Sequence, residues 1–305
     1  MRLRTALFGV LLFLQSALVV TGGAVRLTGS GLGCPTWPEC TPGSYTPVPY
    51  QAEGQLHAWI EFGNRLLTFA LLLSALLVAI NVFAPRRLRR VLAAFNISLS
   101  GRRDLRWLAA GQILGIVGQG VLGGITVLTD LHPLTVAGHL LLSMLLIAGA
   151  TSLYSRRHEP QFKVAAPTKT ISVLSQAHIA ISFIVLILGT IVTGSGPHAG
   201  DEKAQRFGFD IRSVAILHAD AVIFLMGLTI ALLVAASITK STKTAIYIFL
   251  AVSLAQGGVG YAQYLTGIPE LLVAIHLAGA TIFWIAAWRI RLSVVRTSQQ
   301  ERDQL

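Results

Sequence analysis

Charge is scarce in this sequence: only 12% of its 305 residues are Asp, Glu, Lys or Arg, and only 13 are acidic. A chain so poor in charge and 53% hydrophobic cannot clothe an ordinary soluble fold. No stretch of about ten residues alternates in polarity, as the strands of an outer-membrane barrel would. A Ser-His-Asp set and a nucleotide-binding glycine loop are missing too, which gives hydrolase and ATP-driven readings little weight. Cysteine is limited to two residues, Cys34 and Cys40.

Long apolar runs are what the chain has instead, with a mean hydropathy of +0.67. A hydrocarbon core of about 30 Å takes about 20 apolar residues per helix. Eight runs meet that length, at 5–25, 57–83, 107–128, 133–154, 171–193, 213–237, 244–265 and 269–288. The expected fold class is therefore an all-α integral membrane protein with eight transmembrane helices. The net charge of +11 orients the chain. With the N-terminus in the cytoplasm, one side collects Arg2, Arg4, Arg86, Arg87, Arg89, Arg90, Arg102, Arg103, Arg106, Arg156, Arg157, Lys163, Lys169, Lys240, Lys243, Arg289, Arg291, Arg296 and Arg302. The other side keeps only Arg26, Arg65, Lys203, Arg206 and Arg212, so both termini are expected to be cytoplasmic. No aromatic-interleaved basic groove accompanies this charge, which is no evidence for a nucleic-acid partner. The first run is too long for a signal peptide and lacks a convincing cleavage site, so it counts as a span.

An internal repeat organises the chain. Gln119-Gly-Val-Leu-Gly-Gly-Ile-Thr-Val-Leu-Thr129 aligns without a gap on Gln256-Gly-Gly-Val-Gly-Tyr-Ala-Gln-Tyr-Leu-Thr266, and the same offset of 137 places His139 on His276. Thr28-Gly-Ser-Gly31 likewise answers Thr193-Gly-Ser-Gly196. Two parallel four-helix-bundle repeats follow, related by an axis along the membrane normal. The expected halves are 1–154 and 171–290, with a cytoplasmic linker at 155–170, an extracytoplasmic cysteine loop at 26–56 and a cytoplasmic tail at 291–305. Glycines at 111, 115, 120, 124, 257 and 260 suit close helix packing in lipid.

Eight histidines are many for so apolar a chain. His158 falls in the linker and His132 and His198 in outer loops, where solvation accounts for them; His178 reads as a packing or polar-contact residue. His57 and His218 open their helices from outside, and His139 and His276 lie about two turns into theirs. Intramembrane ionisable groups usually face the bundle interior and mark a functional pocket. A haem held between two helices needs an imidazole from each at similar depth, which makes His218 and His276 the natural axial ligands. Zinc is the alternative, but no carboxylates or thiols converge on that pair.

The first half carries a different set. His57, Glu61 and Asn64 share one helical face, with Arg65 one turn beyond Glu61. Glu61 and Arg65 are either a structural ion pair or, with Glu61 as a carboxyl suited to proton delivery in a dry pocket, part of a reaction site. The five residues between Cys34 and Cys40 are compatible with a disulfide closing a small loop outside the cytosol, or with half of a zinc site that lacks its His pair.

Taken with the eight-run duplicated plan, Thr28-Gly-Ser-Gly-Leu-Gly-Cys-Pro-Thr-Trp-Pro-Glu-Cys40, Glu61-Phe-Gly-Asn-Arg65 and the positions of His139, His218 and His276 resemble the haem A synthase family, in its cysteine-containing bacterial form. The likeness runs from residue 5 to about 290. It implies oxidation of the C8 methyl of haem O to a formyl group, giving haem A for cytochrome oxidase. It also implies haem b as cofactor on His218 and His276, with the haem O substrate received by the first half near His139, His57, Asn64 and Arg65. Glu61 matches the family's functional carboxylate, and Cys34 with Cys40 its extracytoplasmic cysteine pair. The implied setting is the cell membrane, with haem sites toward the extracytoplasmic side. Implied partners are molecular oxygen or water, an electron carrier, membrane lipid, and, in the same assembly route, haem O synthase and cytochrome oxidase assembly factors. One departure stands out: the family commonly has Glu-x-x-His-Arg, and here that His is Asn64. His57 is then expected near the substrate haem, whether or not it is bonded to iron. A di-haem electron-transfer cytochrome and a transporter built from parallel repeats are the competing readings.

Overall fold

The computed structural model describes residues 2–94, 99, 101–157, 168–202, 204–235 and 240–300. His158, Lys163, most of the expected linker, Lys203 and Arg302 lie outside the described residues. The described elements are α1 (Arg2–Leu27), α2 (Gln55–Phe83), α3 (Arg86–Ala93), α4 (Arg106–Leu128), α5 (Pro133–Ser155), α6 (Lys169–Ser195), α7 (Ile211–Val234), α8 (Lys240–Leu265) and α9 (Glu270–Gln300). No strand occurs among the described residues. Eight of these helices are long and apolar enough to cross a membrane, all but α3.

The spans fall where the apolar runs place them, and the differences have local causes. α3 is not one of the runs, because four of its eight residues are arginine. α7 begins at Ile211 rather than 213, where the Asp210 side chain accepts a hydrogen bond from the Ser213 amide and satisfies one of the free donors of the first turn. α8 starts at Lys240, four residues before its apolar run, and α9 continues well past 288 to Gln300. His132 and Pro133 set the start of α5: the His132 ring accepts from the Leu134 amide, and Pro133 occupies a first-turn position that has no need of an N–H.

The chain forms two compact units, Met1–Gln161 with Ala199–Gln205, and Phe162–His198 with Arg206–Leu305. In the first, α1 packs on α2 and α5, and α4 packs on the same two helices. α2 and α5 therefore stand at opposite corners. Phe8, Leu11, Leu71, Val78, Ile116 and Leu153 fill the space between them. Within this apolar filling, Gln15 donates to Gln112 Oε1 at 2.9 Å, and Gln112 donates on to the Leu146 carbonyl at 2.9 Å. Such amides need partners where no water reaches, and here they tie α1, α4 and α5 together.

In the second unit α6 packs on α7 and α9, and α8 on α9. α7 and α8 touch far less than α2 and α4 do in the first unit. His178 is buried against Thr229 at 3.2 Å and the edge of Phe249. Thr229 donates its own hydroxyl proton to the Leu225 carbonyl at 2.7 Å, which leaves its oxygen to accept from the ring. Packing and one hydrogen bond account for His178.

Candidate functional site

His139, His218 and His276 lie six, seven and six residues beyond the first residues of α5, α7 and α9. At 1.5 Å per residue that is a common depth of about 10 Å from the helix starts. His218 does not open its helix, as its place near the head of the apolar run suggests; capping by Asp210 puts it two turns into α7, as far from its helix start as the other two are from theirs.

Each of the three rings rests on a glycine of a neighbouring helix. A Cβ on Gly123 of α4 would lie 3.3 Å from His139 Cε1, one on Gly260 of α8 3.3 Å from His276 Cε1, and one on Gly189 of α6 3.4 Å from His218 Cε1. Glycine lets the imidazole approach the facing backbone more closely than any other residue would. Nδ1 of each ring is sealed from solvent without a hydrogen-bond partner. The Val185 backbone lies beside His218, outside hydrogen-bond geometry, and the His218 and His276 rings are close enough to interact electrostatically. With Nδ1 packed away, Nε2 is the ring nitrogen left to bind an iron, and it is not among the sealed atoms on any of the three rings. Imidazoles presented from facing helices of a bundle, with small residues behind them, suit an axial haem ligand set.

The repeat extends to what surrounds these rings. Gly123 and Gly260, His139 and His276, and Gln119 and Gln256 are each 137 residues apart. Oε1 of both glutamines is sealed without a partner. Gln119 donates to the His139 carbonyl at 2.9 Å and to Ser143 Oγ at 2.7 Å, fixing α5 at the level of the ring. Gln256 presses instead against Gly279, which leaves no room there for a Cβ. The sequence pattern assigns packing to Gly260 and to five other glycines. Of those, Gly115 meets Leu146 and Gly124 meets Trp37, but Gly111, Gly120 and Gly257 have nothing within 4 Å. Gly123 and Gly189 were missed, although the offset that aligns the histidines also aligns Gly123 with Gly260.

On α2, the residues expected on one face do share it, and each is bound to a different neighbour. His57 Nδ1 is 2.8 Å from Ser30 Oγ, Glu61 Oε2 accepts from the Cys34 amide at 2.6 Å, and Asn64 Oδ1 accepts from Thr21 Oγ1 at 2.7 Å. Ser30 and Thr21 were not foreseen, because nothing in a linear pattern tells which hydroxyl a neighbouring segment will offer. His139 stands on α5, the corner opposite α2.

The cysteine loop is held by the Glu61 and Arg65 pair. Arg65 gives Nη2 and Nε to Glu61 Oε1 at 2.6 and 3.1 Å, and also donates to the carbonyls of Cys34, Thr36 and Glu39 at 2.9 to 3.2 Å. Glu61 and Arg65 do form an ion pair, and the other guanidinium donors are spent on loop backbone. Cys34 and Cys40 form a disulfide and are fully buried. Gly33 lies so close to the His57 carbonyl that no Cβ fits, and Trp37 packs on Gly124 of α4. Thus the loop seals the α2 and α4 side of the first unit. Among the described residues, no three His, Cys, Asp or Glu side chains converge on a metal-sized site.

These features define a polytopic membrane protein with histidines about two turns into the helices of each unit and a disulfide-closed loop on the first. A family model described as Cytochrome oxidase assembly protein, COX15-CtaA, matches residues 5–200. The chain belongs to that family. It is 25% identical to a protein named heme A synthase from Sinorhizobium fredii, covering 92% of this chain and 87% of that one. A heme A synthase from Rhizobium etli is 26% identical over 92% and 88%. One from Geobacillus kaustophilus is 28% identical over 43% of this chain and 35% of its own.

Proposed function

We propose that this chain is a haem A synthase, an oxidoreductase that converts haem O to haem A for cytochrome oxidase. Family membership and relatives of that name along 92% of the chain support this reading. The observation that carries the site is the threefold recurrence of a histidine two turns into its helix, its Nδ1 edge sealed against a glycine and its Nε2 not sealed. His218 and His276, on α7 and α9 of one unit, would hold haem b. Bound there, haem b would supply the one-electron and oxygen chemistry that no amino-acid side chain provides.

The first unit would receive haem O, with His139 as its ligand. Asn64 replaces the family's histidine and has its carbonyl oxygen engaged by Thr21. An amide so bound is a poor iron ligand, which suits a group that must enter and leave. His57 stays near the substrate haem, its ring steered by Ser30. Arg65 and Glu61 seat the cysteine loop over this side of the unit and exclude water. Glu61 is also the one acid among the residues placed here, and it would hold or return a proton as the C8 methyl is oxidised. The loop and histidines would face the extracytoplasmic side of the cell membrane, with both termini in the cytoplasm and the two units as parallel repeats. Oxygen or water supplies the formyl oxygen, and a membrane electron carrier serves the site.

The test is the absorption spectrum of the purified protein. His218→Ala and His276→Ala should each lose the bis-histidine spectrum, while His139→Ala keeps it and loses haem O binding. An unchanged spectrum in both of the first two variants removes the ligand assignment.

A further inference from the structure

The end of the first unit away from the cysteine loop carries a charge pattern that the synthase reading does not use. α2 runs from that loop to Phe83, and α3 follows after two residues. From Ala84 to Leu128 the only acid is Asp104, against Arg86, Arg87, Arg89, Arg90, Arg102, Arg103 and Arg106. Asp104 is already taken, bound by Arg102 through two contacts at 2.8 and 2.5 Å. Arg4 lies within electrostatic range of Arg89 and Arg102.

α3 sorts its residues by face. Arg86, Arg89, Arg90 and Ala93 line a depression of about 330 Å³. Leu88 and Val91 project from the other side of the helix and are exposed. The Arg89 guanidinium packs on Gly101, whose φ of +57° and missing Cβ let the returning chain pass beneath it. Trp107, 87% exposed, stands at the start of α4 beside Arg106, whose guanidinium covers Phe83 at 5.3 Å. Exposed tryptophan at the end of a span marks the headgroup level of a bilayer. Asymmetric loop charge orients a chain, but it does not require three arginines to share one face of a helix with exposed apolar side chains on the other.

We propose that α3 and the depression beside it form a binding site for the headgroup of an anionic phospholipid. The exposed Arg86 and Arg90 would take the phosphate, since guanidinium groups match phosphate oxygens, and Arg89, held over Gly101, adds positive charge beside them. Leu88 and Val91 enter the acyl boundary, as the apolar face of an interfacial helix does. That face favours a lipid over free phosphate, for which exposed leucine and valine have no use. The site stands whether or not the protein makes haem A.

The experiment uses the full-length protein in neutral detergent, offered equal amounts of phosphatidylglycerol and phosphatidylcholine, with retained lipid counted by native mass spectrometry. Wild type should retain phosphatidylglycerol selectively. Each basic residue at an anionic surface contributes about fivefold, so Arg86→Gln with Arg90→Gln should weaken that retention about 25-fold. Both side chains are exposed, so the fold is expected to persist. The paired Lys variants should keep most of the selectivity, and Leu88→Gln with Val91→Gln should weaken retention of the lipid without its headgroup preference. Equal retention of the two lipids by wild type, or undiminished selectivity in the Gln pair, overturns the proposal. Full displacement by millimolar inorganic phosphate would also overturn it, making the depression a soluble-anion site.

Discussion

Removing the Glu61 carboxylate should undock the cysteine loop without opening its disulfide. Glu61→Ala deletes the acceptor of the Cys34 amide, a 2.6 Å bond to a buried carboxylate, and the partner of Arg65. A hydrogen bond to a charged group contributes about 1.5 to 3 kcal/mol net. Arg65 keeps its three loop carbonyls when Glu61 is gone, so the loss of an ion pair between groups 21% and 7% exposed is counted at its lower limit, about 0.5 kcal/mol. The sum is about 2 to 3.5 kcal/mol of docking free energy, or roughly 30- to 400-fold in the open fraction. Hydrogen exchange followed by mass spectrometry reads this directly at the peptide containing Cys34. Its exchange should accelerate by that factor in Glu61→Ala, while α8 and α9 peptides stay unchanged. Exchange at Cys34 within twofold of wild type would refute the reasoning and return Glu61 to a role in chemistry alone.

Three further outcomes follow from the same geometry. Gly260→Ala brings a methyl to 3.3 Å from His276 Cε1 and should shift the cofactor spectrum or lower haem content, whereas Gly257→Ala, with open space around it, should do neither; equal spectra for both would remove the glycine cradle. Gln15→Ala strips Gln112 Oε1 of its partner in the apolar core and should destabilise the protein by about 1 to 3 kcal/mol, seen as a lower thermal midpoint in detergent; an unchanged midpoint counts against the amide tie. Bonds from the Ser213 amide and hydroxyl hold the Asp210 carboxyl below its ordinary range, so its stabilisation of the start of α7 is complete above the unfolded value of about 4 and is lost as pH falls through the lower folded value. Asp210→Asn should flatten that acid dependence of amide protection near Ile211, and an unaltered profile would dismiss the cap.

Hydropathy made the spans legible, since lipid demands about 20 apolar residues wherever a helix crosses. It missed α3 for the same reason: Arg-Arg-Leu-Arg-Arg-Val-Leu-Ala is helical but not apolar, and its two faces emerge only once it is wound. The depth of His218 turned on one side chain, Asp210, whose capping role was readable at that position but lay outside the apolar run. The histidines themselves stood out as ionisable groups in apolar surroundings, and the 137-residue offset paired two of them. What held them was less accessible. Gly189 bears on His218 through a helix packing that no motif announces, and Thr21 reaches Asn64 from α1, 43 residues away. Arg65 was readable as a partner of Glu61, but its bonds to three loop carbonyls were not, because every residue has a carbonyl and only the fold selects which ones turn inward.

Conversion of haem O is read most directly in haem extracted from membranes that contain this protein and a haem O supply, separated by chromatography and identified by mass. Haem A should accumulate with the intact chain and disappear with His276→Ala. Haem b retained on the intact chain beside unconverted haem O, with oxygen and a competent reductant present, would contradict the claim and leave an electron-carrying bundle in its place.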